Sequence, residues 1–130
     1  MDTQTRKFIV MAAILGLLPV TSGCLFVAGG AAAVGGMLYV NGDLEQSVKA
    51  DPQKVVAATE KAFAALKVTL VSKEATGLEG KVTGQTGDGK AITVKVANRG
   101  GGISKVSVRI GTFGDKDKSQ AIMDEIVKRL

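Results

Sequence analysis

Beyond residue 67 the sequence repeats with a period of two. Val68 and Leu70 alternate with Thr69 and Val71, and Val82 lies between Lys81 and Thr83. Ile92, Val94 and Val96 alternate with Thr93 and Lys95, and Val106, Val108 and Ile110 alternate with Ser107 and Arg109. Successive side chains of a strand point to opposite faces, so each run offers one apolar and one largely polar face. That is the signature of antiparallel strands covered on one side. Thr76-Gly77, Gly87-Asp88-Gly89 and the stretch from Asn98 to Gly102 separate the runs with turn chemistry.

Upstream the period is helical. Asp51-Pro52 supplies an N-cap and a first-position proline, and Val55, Val56, Thr59, Phe63 and Leu66 recur on one stripe. Ile122, Ile126, Val127 and Leu130 mark a second helix over Ser119–Leu130, with Asp115 or Asp117 near its positive end and Lys128 and Arg129 near its negative end. Leu44–Val48 alternates weakly and reads as a short first strand. The expected fold is α+β, in the order β-α-β-β-β-β-α. An antiparallel sheet of four to five strands carries both helices on one face. There is no internal repeat.

The uncovered face of such a sheet holds Thr, Ser, Lys and Arg. Lys95, Lys105 and Arg109 share it, either as solvated strand positions or as a surface for anionic headgroups or glycan phosphates. Gly111-Thr112-Phe113-Gly114 joins a strand to a helix, where backbone N–H groups can cradle phosphate, but the phosphate-loop lysine is absent and Asp115 follows. It reads as a structural turn. Asp115-Lys116-Asp117 lacks the later Gly and Glu of a calcium loop.

The chain contains no histidine and one cysteine. That removes the commonest general base, any internal disulfide and the usual zinc ligand sets. No catalytic, cofactor-binding or metal-ligating residue is expected, and the chain is not expected to be an enzyme. Of the net charge of +5, Arg6 and Lys7 against Asp2 account for one unit, leaving +4 beyond Cys24. Those later charges are interspersed with acids, and Phe63 and Phe113 are the aromatics after Tyr39. Nucleic-acid binding, which wants clustered cations and stacking rings, is not expected.

The N-terminus carries an address. Arg6-Lys7 precede an apolar run from Phe8 to Leu18, about half the length of a membrane span and the length of a signal-peptide core. Pro19 ends it, and Thr21, Ser22 and Gly23 lead to Cys24. The Ser22-Gly23-Cys24 stretch resembles a bacterial lipobox, with Thr21 where a leucine is usual. Residues 1–23 are then a lipoprotein signal peptide cleaved between Gly23 and Cys24. The Cys24 thiol takes up a diacylglyceryl group, and the freed amine takes an acyl chain such as palmitate. Leu25 rather than Asp after the cysteine favours delivery to the outer membrane, facing the periplasm.

Residues 25–40, LFVAGGAAAVGGMLYV, carry no charge. One reading makes residues 24–43 an apolar tether at the lipid surface. The other makes the tract an embedded helix whose Ala28, Ala32 and Gly36, four apart, let two copies pack closely and self-associate. The folded periplasmic domain is expected over residues 44–130.

Taken together, Ser22-Gly23-Cys24, the Gly/Ala tract, the LEQSVKADPQKV segment (Leu44–Val55) and RIGTFGD (Arg109–Asp115) resemble a family of small bacterial lipoproteins of unassigned function. The resemblance implies an exported, lipid-anchored α+β domain and supplies no site residues. The expected role is a non-catalytic structural or interaction module that contacts the membrane through Cys24 and an envelope protein through its domain. The alternatives are a small-molecule or lipid binding module and a carboxylate-based hydrolase.

Overall fold

The computed structural model describes residues 33–130. Six strands form one antiparallel sheet: β1 (Ala33–Val40), β2 (Asp43–Val48), β3 (Thr69–Ala75), β4 (Glu79–Gln85), β5 (Ala91–Gly100) and β6 (Ile103–Ile110). Helix α1 (Pro52–Ala65) follows β2, and α2 (Lys116–Lys128) closes the chain. Across the sheet the order is β1-β2-β6-β5-β4-β3. Both helices lie on one face, α1 over β3, β4 and β5, and α2 over β2 and β6, and they pack against each other.

The expected α+β class is therefore found, with one strand more than the upper count. The addition is β1. It corrects the expectation of a tether or a helix over residues 33–43, and it moves the start of the folded domain from residue 44 to Ala33. Gly36 stands in this strand, so it does not belong to a small-residue helix face. Ala28, Ala32, the signal segment, Gly23 and Cys24 lie outside the described residues. The composition of β1 hides its role: Gly35 has φ +75, and the pairing with β2 shifts register between Val34 and Leu38. This irregularity breaks the alternation by which a strand is recognised. Only Ala33 and Met37 of β1 reach the core.

Gln46 accounts for the weak alternation in β2. It occupies a core-facing position, 4% exposed, where Leu44 and Val48 flank it. Its Nε2 donates to the Gly35 carbonyl at 3.0 Å, so the amide ties β2 to the irregular part of β1.

The core lies between the sheet and the helices. Leu44, Val48, Val82, Ile92, Val94, Val96, Val106, Val108 and Ile110 meet Val55, Val56 and Phe63 of α1 and Ile122, Met123, Ile126 and Val127 of α2. Burial of each large side chain contributes about 1.5–3 kcal/mol. Two glycines set how closely α1 approaches. Gly80 and Gly84 share the helix-facing side of β4 with Val82. A Cβ on Gly80 would lie 2.7 Å from Val56 Cγ2, and one on Gly84 would lie 2.6 Å from the Phe63 ring. Val56 and Phe63 are seven residues apart, about 10.5 Å along a helix, and the two glycines are about 13 Å apart along a strand. The side chains of α1 thus drop into two gaps in one strand.

Helix ends follow the sequence in part, and α2 runs from Lys116 to Lys128 where Ser119–Leu130 was expected. Asp51 stands at the N-cap of α1 with Pro52 inside, yet its side chain makes no capping hydrogen bond. Asp115 caps α2, accepting from the Lys118 N–H at 3.1 Å. Leu66, expected in the apolar stripe, is the C-cap of α1 and is partly exposed. Strand β3 is exposed along its whole length, as an edge strand whose pairing shifts between Leu70 and Ser72.

Candidate functional site

The helix-free face of the sheet is polar. From β4 it presents Glu79, Lys81 and Thr83, from β5 Thr93 and Lys95, from β6 Lys105, Ser107 and Arg109, and from β2 Asp43 and Glu45. Register arranges these in rows. Glu74 pairs with Lys81, Lys81 with Lys95, Lys95 with Ser107, and Ser107 with Glu45. One line across five strands therefore reads Glu, Lys, Lys, Ser, Glu. In the adjacent row Ser72 pairs with Thr83, Thr83 with Thr93, and Thr93 with Arg109.

A shallow trough of about 520 Å³ runs along this face over the first row, with Lys81, Lys95 and Lys105 among its lining. A neighbouring depression of about 350 Å³ is lined by Asp43, Lys81, Thr93, Lys95, Ser107 and Arg109. The expected association of Lys95, Lys105 and Arg109 is thus found. Lys81 belongs with them: its alternation with Val82 sets it on the polar face, but its place beside Lys95 comes from register. Thr93 and Ser107 were visible as polar-face residues, but their proximity to the lysines comes from register.

The cations differ in their partners. Lys105 pairs with Glu45 at 2.8 Å, and Arg109 lies 3.4 Å from Asp43. Lys81 and Lys95 make no ion pair among the described residues. Like charges directly opposite each other across two strands destabilise a sheet. The centre of the face therefore holds two opposed ammonium groups that form no ion pair among the described residues, with Glu74 standing across from Lys81 in register.

Arg109 also has a structural task. Its guanidinium donates to the carbonyls of Asn41 at 2.9 Å and Thr112 at 2.5 Å. It fastens the β1–β2 turn to the loop before α2. Gly114, with φ +81, sits against that turn, and a Cβ there would lie 2.4 Å from the Gly42 carbonyl oxygen and 2.7 Å from the Tyr39 hydroxyl. No side chain fits, and positive φ favours glycine. RIGTFGD is thus a corner: Arg109 latches it, Gly114 permits the close approach and Asp115 caps the helix. Phe113 projects from it, 91% exposed.

Four carboxylates line the larger trough, Asp43, Glu45, Glu74 and Glu79. Asp43 and Glu45 are occupied by Arg109 and Lys105. Among the described residues no cluster of His, Cys, Asp and Glu suits a metal ion, and no helix is long and apolar enough to cross a membrane.

A family model described as "Protein of unknown function (DUF3568)" matches residues 7–129. The chain belongs to the DUF3568 family. The match spans the apolar N-terminal run, Cys24 and the whole sheet-and-helix domain, so DUF3568 unites the N-terminal segment and the domain in one unit. A search of curated proteins finds no match.

Proposed function

We propose that this DUF3568 protein is a lipid-anchored module of the bacterial envelope. It is moored by acyl chains on Cys24, delivered to the outer membrane and turned toward the periplasm. It acts without catalysis, by contacts made through the helix-free face of its sheet. The observation that carries this reading is the order of charged start, short apolar run, Pro19 and Ser22-Gly23-Cys24, only nine residues ahead of β1. Each buried methylene contributes about 0.8 kcal/mol, so one short acyl chain holds a protein marginally and two or three hold it firmly. Nine residues reach at most about 30 Å. The domain would therefore work within one domain diameter of the bilayer.

The non-catalytic reading is supported by the absence of histidine and by the ion pairing of two of the four carboxylates in the trough. Intact-mass measurement of the membrane-extracted protein tests the anchor. The expected species begins at Cys24 and carries a diacylglyceryl thioether and an amide-linked acyl chain. A free Cys24 thiol, or a chain that retains residues 1–23, overturns it. Cys24→Ser is expected to shift the protein out of the outer-membrane fraction.

A further inference from the structure

We propose that the centre of the helix-free face is a binding site for a phosphate group, with Lys81 and Lys95 as its charged donors and Thr93, Ser107 and Arg109 around them. The proposal rests on the reading of this face as the working surface and names what it holds.

Four observations converge. Lys81 and Lys95 are directly opposed in register on adjacent strands, where side chains at one level stand about 4.5–5.5 Å apart at Cβ. Among the described residues neither forms an ion pair, although Glu74 stands opposite Lys81 in register, whereas Lys105 and Arg109 on the same face each have a carboxylate partner. The depression they line, about 350 Å³, contains three cations and two hydroxyls against the single carboxylate of Asp43. Its floor is rigid backbone: β4 and β5 are both interior strands, held on either side by β3 and β6. The row register also limits the size of the ligand. Glu74 beside Lys81 and Glu45 beyond Ser107 close the row at both ends with negative charge. A compact anion fits between them, and an extended polyanion does not.

A phosphate group suits this arrangement chemically. It carries one to two negative charges on tetrahedral oxygens. Each ammonium has three donors and no acceptor, and binds phosphate as a point charge without a fixed fork geometry. Charge-assisted hydrogen bonds from both lysines would replace a repulsion by two attractions. The hydroxyls of Thr93 and Ser107 supply further donors to the remaining oxygens. Such a group could come from a soluble phosphomonoester or from a phospholipid headgroup of the bilayer nearby.

The test uses the full chain purified in neutral detergent. Thermal melts and amide chemical shifts are followed against glycerol phosphate and, separately, against micelles doped with phosphatidylglycerol. Chloride at matched ionic strength is the control. A response to either probe, centred on Lys81, Thr93, Lys95 and Ser107, supports the site and identifies its source. The Lys81→Met/Lys95→Met double variant is expected to lose at least about tenfold in affinity. Lys95→Thr is expected to melt a few degrees higher than the native protein without phosphate, because it removes the repulsion, and to lose the phosphate-induced rise. A response to neither probe, one reproduced by chloride, or one retained in the double variant overturns the proposal. So does a lower melting temperature for Lys95→Thr. The mass of Cys24 does not enter any of these readouts, so failure of the anchor and failure of the site are separable.

Discussion

The two faces of the sheet are built from alternate residues of the same strands, and they obey different rules. On the helix side, neighbouring atoms decide almost every position: Gly80 and Gly84 are small because Val56 and Phe63 occupy the space above them. On the other side no described residue lies above Lys81, Thr93 or Lys95, and solvent sets no limit on volume. Charge is the variable there, and it is arranged with acids at the margins and, between them, two ammonium groups that form no ion pair among the described residues. Packing thus makes the covered face intolerant, which leaves the uncovered face as the part of the fold that can be adapted to a task without loss of the core.

This contrast can be broken first at Phe63, which is 1% exposed. Phe63→Ala is expected to cost about 3–5 kcal/mol, read from urea denaturation, because the cavity left between α1 and β4 cannot close fully. Gly84→Ala should follow, at about 1–3 kcal/mol, since its methyl would overlap the Phe63 ring and Val68. Gly87→Ala serves as the matched control, because an added Cβ there meets nothing within 4 Å. A Gly84→Ala protein as stable as the Gly87→Ala control would mean that α1 does not seat in β4 as described.

Arg109 sharpens the comparison, because it stands on the open face yet holds structure together. Arg109→Met is expected to cost about 1 kcal/mol, the usual worth of hydrogen bonds from an exposed side chain. Faster hydrogen exchange at Asn41–Asp43 and Thr112–Gly114 would locate that loss, and unchanged exchange there would remove the latch from the account.

The smallest effects concern acid. The Thr86 hydroxyl donates to Asp88 and holds its carboxyl below the usual carboxylate range. A depressed folded value adds stability above the unfolded pKa, and that contribution is lost as pH falls through the folded value. Asp124 is shifted the other way, first by desolvation and then by the Glu125 charge. Its contribution is present below the unfolded pKa and is lost as pH rises through the folded value. Asp124→Asn is therefore expected to stabilise the protein at pH about 7 and not at pH about 3, by a small margin because solvent screens an exposed group. Denaturation at the two pH values checks the sign.

Much of this was legible in the sequence because period two and period 3.6 are imposed by burial, and most of the strands and both helices are half-buried. The valines and isoleucines of β5 and β6 identify their strands and faces almost alone. What failed to show was whatever burial does not mark. In β1, Ala33 and Met37 alone reach the core, and Gly35 interrupts the register, so no alternation survives. In β2, which the sequence does show as a strand, a buried glutamine stands where an aliphatic residue would have strengthened the weak alternation. In β4 two glycines leave Val82 alone to mark the covered face, so the side taken by Lys81 rests on one residue. The lysine pair depends on which residues of different strands stand opposite each other, and no local pattern carries that.

One consequence of β1 is mechanical. It is the first described element, and among the described residues it lies at the sheet margin and pairs with β2 alone. Tension entering at Ala33 is applied at the Ala33–Val48 end of that pairing. A pull directed across the strands there peels β1 rung by rung instead of shearing all rungs together. Gln46 then gives up the Gly35 carbonyl, and the backbone of β2 becomes a fresh unpaired margin while the helices stay seated. A chain tugged from its leading end would thus yield a graded, reversible opening long before its centre gives way.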